Sequence, residues 1–106
     1  MHIAKFYGEK TTYYFLYFIS PYYIDLRVLV SYPYLLKLTG DVFWETMRTL
    51  YFDVIVGVPY TAIPIATAIS LNENQHMIFI RKERKSYGTG KLIEGNYHQG
   101  QKAIIV

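Results

Sequence analysis

The hydrophobic pattern of the first half of the chain predicts two strands followed by a long helix. Residues 12–30 are rich in aromatic and β-branched side chains, and Pro21 divides this stretch into two predicted strands. Pro33 can begin a helix because the amide that proline lacks has no partner in the first turn. Apolar residues then recur at helical spacing to about Leu50, and Gly40 is expected to mark a kink or a break.

The second half alternates strands with a helix, as is typical of α/β proteins. Its apolar runs predict a buried strand at 53–58, a helix at 63–71, a short strand at 76–80 and a final strand at 102–106. We therefore predict one α/β domain with a mostly parallel sheet. Ligands of such sheets bind beyond the carboxyl ends of the strands, so the turn at 57–61 and the loop at 81–91 are expected at the ligand edge.

The final predicted strand ends with the sequence itself, at Val106. We expect such a strand to leave an apolar face and an unpaired edge exposed. The pattern therefore predicts the front part of a larger α/β domain, and a chain that associates to bury this edge.

Composition excludes several classes of function. The 106 residues include no cysteine, which rules out disulfides, zinc–thiolate sites and thiol nucleophiles and is compatible with a cytoplasmic protein. Residues 54–71 form an uncharged run of membrane-spanning length, but Pro59 and Pro64 interrupt it. A strand followed by a buried helix explains this run better than a membrane span.

The strongest candidate for chemistry is the loop at 81–91, which carries five of the eleven basic residues and no aliphatic side chain. Lysine and arginine supply charge and donors for a polyanion such as pyrophosphate, while glycines let a loop fold over its ligand. A merely solvated loop is an equal alternative from composition alone. A nucleic-acid surface with Tyr87 and Tyr97 as stacking residues is a third, against which the mild net charge of +3 argues.

Other candidate sites are weaker. The three histidines are scattered without the spacing of a metal site, and Glu83 and Glu94 are too far apart in sequence to be argued as an acid–base pair. Eleven of the nineteen aromatic residues lie in 1–34. We interpret them as core and interface residues, with a dimer contact as one variant.

Three segments in order resemble the orotate phosphoribosyltransferase domain of eukaryotic UMP synthase. They are SPYYIDLR at 20–27, GVPYTAIPIATAI at 57–69 and IRKERKSYGTGKLIEG at 80–95, of which the last is the most specific. The resemblance covers about residues 19–106, whereas residues 1–18 match poorly. It implies the N-terminal part of a type I phosphoribosyltransferase, with a Rossmann-like, mostly parallel sheet and flanking helices.

The resemblance also implies a reaction and its site. Orotate and phosphoribosyl pyrophosphate (PRPP) would give orotidine monophosphate and pyrophosphate, with Mg²⁺ held mainly through PRPP, in a cytoplasmic homodimer that binds neither nucleic acid nor membrane. The mobile basic loop at 81–91 would close over pyrophosphate. The implied site residues are Lys85 as the catalytic residue, Arg81, Lys82, Lys85, Tyr87, Tyr60 and Thr61 at PRPP and pyrophosphate, and Tyr23 and Ile24 at orotate.

The sequence departs from the family pattern in two places. Phe15 stands where the family has a lysine, and the family's PRPP motif follows the strand that ends here at 104–106. We therefore expect a partial domain whose activity is impaired. The alternative is a non-catalytic dimerising fragment that retains only the pyrophosphate-binding loop.

Overall fold

The computed structural model describes the backbone at 5–6, 13–15 and 18–20, and residues 24–83, 86–88 and 90–106. Its elements are strands β1 (Lys5–Phe6), β2 (Tyr13–Phe15) and β3 (Phe18–Ser20), a 3₁₀ helix (Leu26–Ser31), helix α1 (Pro33–Met47), strand β4 (Val54–Gly57), helix α2 (Ala62–Glu73), and strands β5 (Met77–Ile80), β6 (Ile93–Glu94) and β7 (Ala103–Ile105).

The N-terminal strands form a small antiparallel sheet in the order β1-β2-β3. The strand predicted after Pro21 is wrong, because Leu26–Ser31 is a 3₁₀ helix. Asp25 caps this helix, and its carboxylate accepts a hydrogen bond from the backbone N–H of Arg27 at 3.0 Å. Such a local side-chain bond offers the backbone an alternative to pairing in a sheet.

Helix α1 runs without interruption from Pro33 to Met47, so the predicted break at Gly40 is wrong. Gly40 is buried, and a Cβ at this position would lie 3.3 Å from Cβ of Ala68 and 3.3 Å from the backbone nitrogen of Ile69. The glycine therefore permits α1 to approach α2 closely. A hydrogen bond of 2.9 Å from Asn72 Nδ2 to Asp41 Oδ1 also joins the two helices.

The larger sheet has the order β6-β5-β4-β7. Strand β4 pairs in parallel with β5 and β7, and of the described pairs in this larger sheet only β5 with β6 is antiparallel. This confirms the predicted α/β fold with a mostly parallel sheet. Strand β6 was not predicted, because two residues show no hydrophobic period.

Strand β4 is buried on both faces, as its continuous apolar sequence predicts. On one face Ile55 packs with the apolar sides of α1 and α2 and with Val106. On the other face Val54 and Val56 pack with Ile78 of β5. Among the described residues, no helix is long and apolar enough to cross a bilayer.

Gly95 provides a test of how β6 packs against β5. Its φ is +113°, and a Cβ there would lie only 2.8 Å from Cγ2 of Ile78. Gly95→Ala should therefore cost about 2–3 kcal/mol of unfolding free energy, measured by urea denaturation, because backbone strain and steric overlap add.

The matched control is Gly100→Ala. Gly100 also has a positive φ, +93°, but nothing lies within 4 Å of a Cβ there. Gly100→Ala should therefore lower the unfolding free energy only through backbone strain, by about 1 kcal/mol. Equal losses for the two variants would show that β6 does not pack against Ile78 as described.

The cap of the 3₁₀ helix predicts a pH effect. Side-chain hydrogen bonding to Arg27 holds the pKa of Asp25 below its ordinary value, with smaller contributions from the Arg27 backbone N–H and charge. Because this pKa is lower in the folded than in the unfolded state, the ionised carboxylate stabilises the folded state at pH values above the unfolded-state pKa. The stabilisation is lost as the pH falls through the folded-state pKa. Arg27→Ala should raise the pKa of Asp25 in an NMR titration, whereas Arg48→Ala on α1 should leave it unchanged.

Candidate anion-binding site at the carboxyl ends of the sheet

A cleft of about 380 Å³ lies where β4 and β5 end. Because the strands are parallel, with Gly57 opposite Phe79, the turn after β4 and the loop after β5 meet at one edge. This is the placement that the strand pattern predicts. The lining residues are Pro59, Tyr60, Ile63, Phe79, Ile80, Arg81, Lys82 and Glu83.

The turn after β4 forms one wall of the cleft. Gly57 is buried, and a Cβ there would lie 3.2 Å from Cα of Ile63, so the glycine lets α2 begin close to the strand. The peptide bond between Pro59 and Tyr60 is cis. The side chain of Tyr60 is 71% exposed and lies at the cleft.

Helix α2 begins directly after this turn. Its cap residue, Thr61, makes no side-chain hydrogen bond to the helix, and its first turn holds no acidic residue. The N–H of Ile63 already donates to the carbonyl of Tyr60 at 3.3 Å and Pro64 has no N–H, so the attraction for a negative charge here comes mainly from the helix dipole. The beginning of α2 therefore suits an anion in the cleft.

The opposite wall carries the positive charge. Arg81 follows β5, is half-buried, and donates its backbone N–H to the carbonyl of Leu92 at 2.8 Å. Its Nη1 donates to Oε1 of Glu94 at 3.2 Å, while its Nε is buried without an acceptor among the described residues. A buried donor without a partner costs about 1–3 kcal/mol.

Only some of the predicted site residues meet at the cleft. Tyr60, Arg81 and Lys82 line it, and Thr61 stands next to it at the start of α2. The lining of the cleft does not include Tyr87, which is 73% exposed, or Ile24, which is 79% exposed. Two further predicted residues, Lys85 and Tyr23, lie outside the described residues.

Sequence reasoning missed the role of Glu94. Glu94, on β6, lies opposite Phe79 of β5. Arg81 comes two residues after Phe79, just beyond the end of β5, and its side chain forms an ion pair with Glu94. The thirteen positions that separate the two residues in sequence gave no sign of this contact. Recognition of a hairpin that closes the loop would have found it, but β6 is too short to be recognised.

The donor set of the cleft bears on metal binding. Within the described ranges, no group of three or more histidine, aspartate or glutamate side chains could hold a metal ion. The charged residues that line the cleft are Arg81, Lys82 and Glu83. This set fits a divalent cation that the phosphates of a ligand hold, rather than one caged by protein carboxylates.

No protein-family model matches the chain. Curated relatives do match it. The bifunctional enzyme PyrF/PyrE of a Nostoc species is 41% identical over 88 residues, which is 83% of this chain and 18% of that protein. The orotate phosphoribosyltransferase of Pyrococcus horikoshii is 40% identical over 89 residues, 82% of this chain and 48% of the relative. The Caenorhabditis elegans enzyme of the same name is 43% identical over 90 residues, which is 83% of this chain and 40% of that protein.

Solved structures agree with the sequence comparison. The UMP synthase of Leishmania donovani superposes with a TM-score of 0.73 at 42% identity, over 82% of this chain and 18% of that chain. The Mycobacterium tuberculosis orotate phosphoribosyltransferase in complex with PRPP gives a TM-score of 0.61 at 27% identity, over 78% of this chain and 47% of that chain. This chain thus spans less than half the length of each of these relatives. Over the residues that it shares with them, the chain is similar in sequence and fold to orotate phosphoribosyltransferases.

Proposed function

We propose that this chain acts in the transfer of a phosphoribosyl group from PRPP to orotate, which yields orotidine monophosphate and pyrophosphate in pyrimidine biosynthesis. The observation that carries the proposal is the cleft, where Arg81 and Lys82 face Tyr60 and the beginning of α2. The relatives named orotate phosphoribosyltransferase support the reaction, and the neighbour solved with PRPP supports this substrate.

The charges of the cleft suit the departure of pyrophosphate. Breaking the glycosidic bond of PRPP builds negative charge on the leaving pyrophosphate and positive charge on the ribose. Cations held at the leaving group favour this transition state by several kcal/mol when they are placed in advance. Arg81 and Lys82 supply such cations from one wall, and the positive end of the α2 dipole lies at the other.

We further propose that Mg²⁺ enters the site as an ion bound to PRPP. When bound, it supplies charge neutralisation at the phosphate oxygens. The protein's own contribution is then the orientation of the phosphates by Arg81 and Lys82, which leaves the metal to be held mainly by the substrate.

The loop at 81–91 completes the site in this proposal. Its base is held by pairing of β5 with β6, in which Ile80 lies opposite Ile93. Closure of a loop over the reacting atoms excludes water from an oxocarbenium-like centre that water would hydrolyse. We assign Lys85 the catalytic contact with the leaving group and Tyr87 a pyrophosphate contact, and Tyr23 and Ile24 remain the proposed contacts of orotate.

Orotate consumption tests the reaction. With PRPP and Mg²⁺, ultraviolet absorbance should show turnover by the chain, and Lys85→Ala should lower kcat/KM by about 10²-fold or more because a leaving-group cation is lost. The control is Lys37→Ala, which removes an exposed lysine that pairs with Asp41 on α1. A folded chain without turnover would contradict the enzyme and favour the alternative, a fragment that retains only pyrophosphate binding.

We further propose a cytoplasmic homodimer. Exposed apolar side chains cover the 3₁₀ helix and the adjoining surface of α1, at Val28, Val30, Tyr34, Leu35 and Val42. Large exposed apolar patches mark surfaces that contact a partner. The patch supports association of two copies through this side of the chain.

Sedimentation velocity at micromolar concentration tests the dimer. The parent chain should sediment as a dimer, and Val42→Glu should shift it toward monomer because a charge would be buried at the interface. Thr67→Glu places the same charge at an exposed position of α2, on another helix than the patch, and should leave the dimer intact. A parent chain that sediments as a monomer would contradict the proposal.

A further inference from the structure

We propose that Glu94 is a positioning residue that holds the guanidinium of Arg81 toward the cleft and thereby determines the affinity for pyrophosphate. The inference rests on the proposed function, because it concerns the same cleft. It assigns a role to a residue that lies on a two-residue strand and outside the lining of the cleft.

The register of the hairpin places the two side chains together. Phe79 lies opposite Glu94, and Ile80 lies opposite Ile93. Since side chains alternate across a strand, Phe79, Arg81 and Glu94 share one face of the sheet, and Arg81 and Glu94 are diagonal neighbours. The ion pair between them, at 3.2 Å, follows from this register.

Arg81 belongs to the rigid base of the loop rather than to its free part. Its backbone N–H continues the ladder beyond β5 by donating to the carbonyl of Leu92 at 2.8 Å. With the backbone held in this way, the direction of the guanidinium depends on the side-chain torsions. A long arginine side chain has many rotamers, and a carboxylate that accepts from one nitrogen selects among them.

The environment of the pair makes this selection effective. The side chains of Arg81 and Glu94 are 34% and 30% exposed, so water screens them less than the surface pair Arg48–Glu45 at 56% and 67%. Glu94 engages Nη1 and leaves Nε, which is buried, without an acceptor among the described residues. The arginine is thus oriented by one part of its planar group while other donors remain for an anion.

A simple electrostatic effect of Glu94 would have the opposite sign. A carboxylate near the cleft repels pyrophosphate, so its removal by itself should strengthen binding. A positioning role predicts that removal weakens binding. The sign of the change therefore separates the two effects.

Titration calorimetry with pyrophosphate and Mg²⁺ provides the test. Glu94→Leu, which removes the acceptor, should weaken pyrophosphate binding about tenfold, whereas Glu94→Gln keeps an oxygen acceptor and should stay within about threefold of the parent. The matched control, Glu45→Leu, removes the exposed partner of Arg48 on α1 and should change nothing. Unchanged or tighter binding by Glu94→Leu would overturn the proposal.

A double-mutant cycle isolates the effect that passes through Arg81. Arg81→Met should weaken binding, and the addition of Glu94→Leu to it should cause no further loss. Independent, additive losses would show that Glu94 acts by another route and would overturn the proposal.

A second readout keeps the inference separate from the proposed function. Nitrogen-15 relaxation of the Arg81 Nε–H group should show a restrained side chain in the parent and a mobile one in Glu94→Leu, with no ligand present. If the parent does not bind pyrophosphate, the proposed function fails and with it the role in affinity. If Arg81 is equally restrained in both proteins, the positioning role fails, whatever the binding result.

Discussion

The parallel pairing of β4 with its two neighbours is the constraint on which the rest of the structure depends. Strand β4 is buried on both faces and hydrogen-bonds on both edges, with β5 and β7. Parallel neighbours require a crossover, which α2 supplies, and the helix must then bury its apolar side against the sheet. The same pairing brings the end of β4 beside the end of β5. The cleft is therefore a consequence of how the core is built.

The chemistry of the cleft comes from two walls of different construction. One wall is a tight turn into α2, where Gly57 lets the helix begin close to the strand. The other is a hairpin base, where the pairing of β5 with β6 anchors Arg81 and leaves the rest of the loop to extend beyond it. As a result, Arg81 is held in place at the edge of the sheet. The positions of the other basic side chains of the loop depend on how the loop lies over a ligand.

Much of this could be predicted from the sequence, where the signal was local. The apolar runs gave β4, β5, β7 and α2, and with them the α/β class and the edge at which Tyr60 and Arg81 meet. Two predictions failed for physical reasons. Residues 26–31 have the composition of a strand, but the Asp25 cap favours a 3₁₀ helix. Gly40 has the propensity of a helix breaker, but its missing side chain serves the packing of α1 on α2.

What the sequence by itself determined is the order of the elements and the residue types at the ligand edge, because hydrophobic period and turn residues are encoded by neighbours along the chain. What only the tertiary structure decided is strand β6 and the pairing of Arg81 with Glu94. Two residues carry no period, and the register of a hairpin across a loop depends on packing that is not local. Gly95 shows this directly, since its lack of a Cβ allows β6 to pass against Ile78. The position of Arg81 at the cleft therefore depends on tertiary packing and not on local sequence.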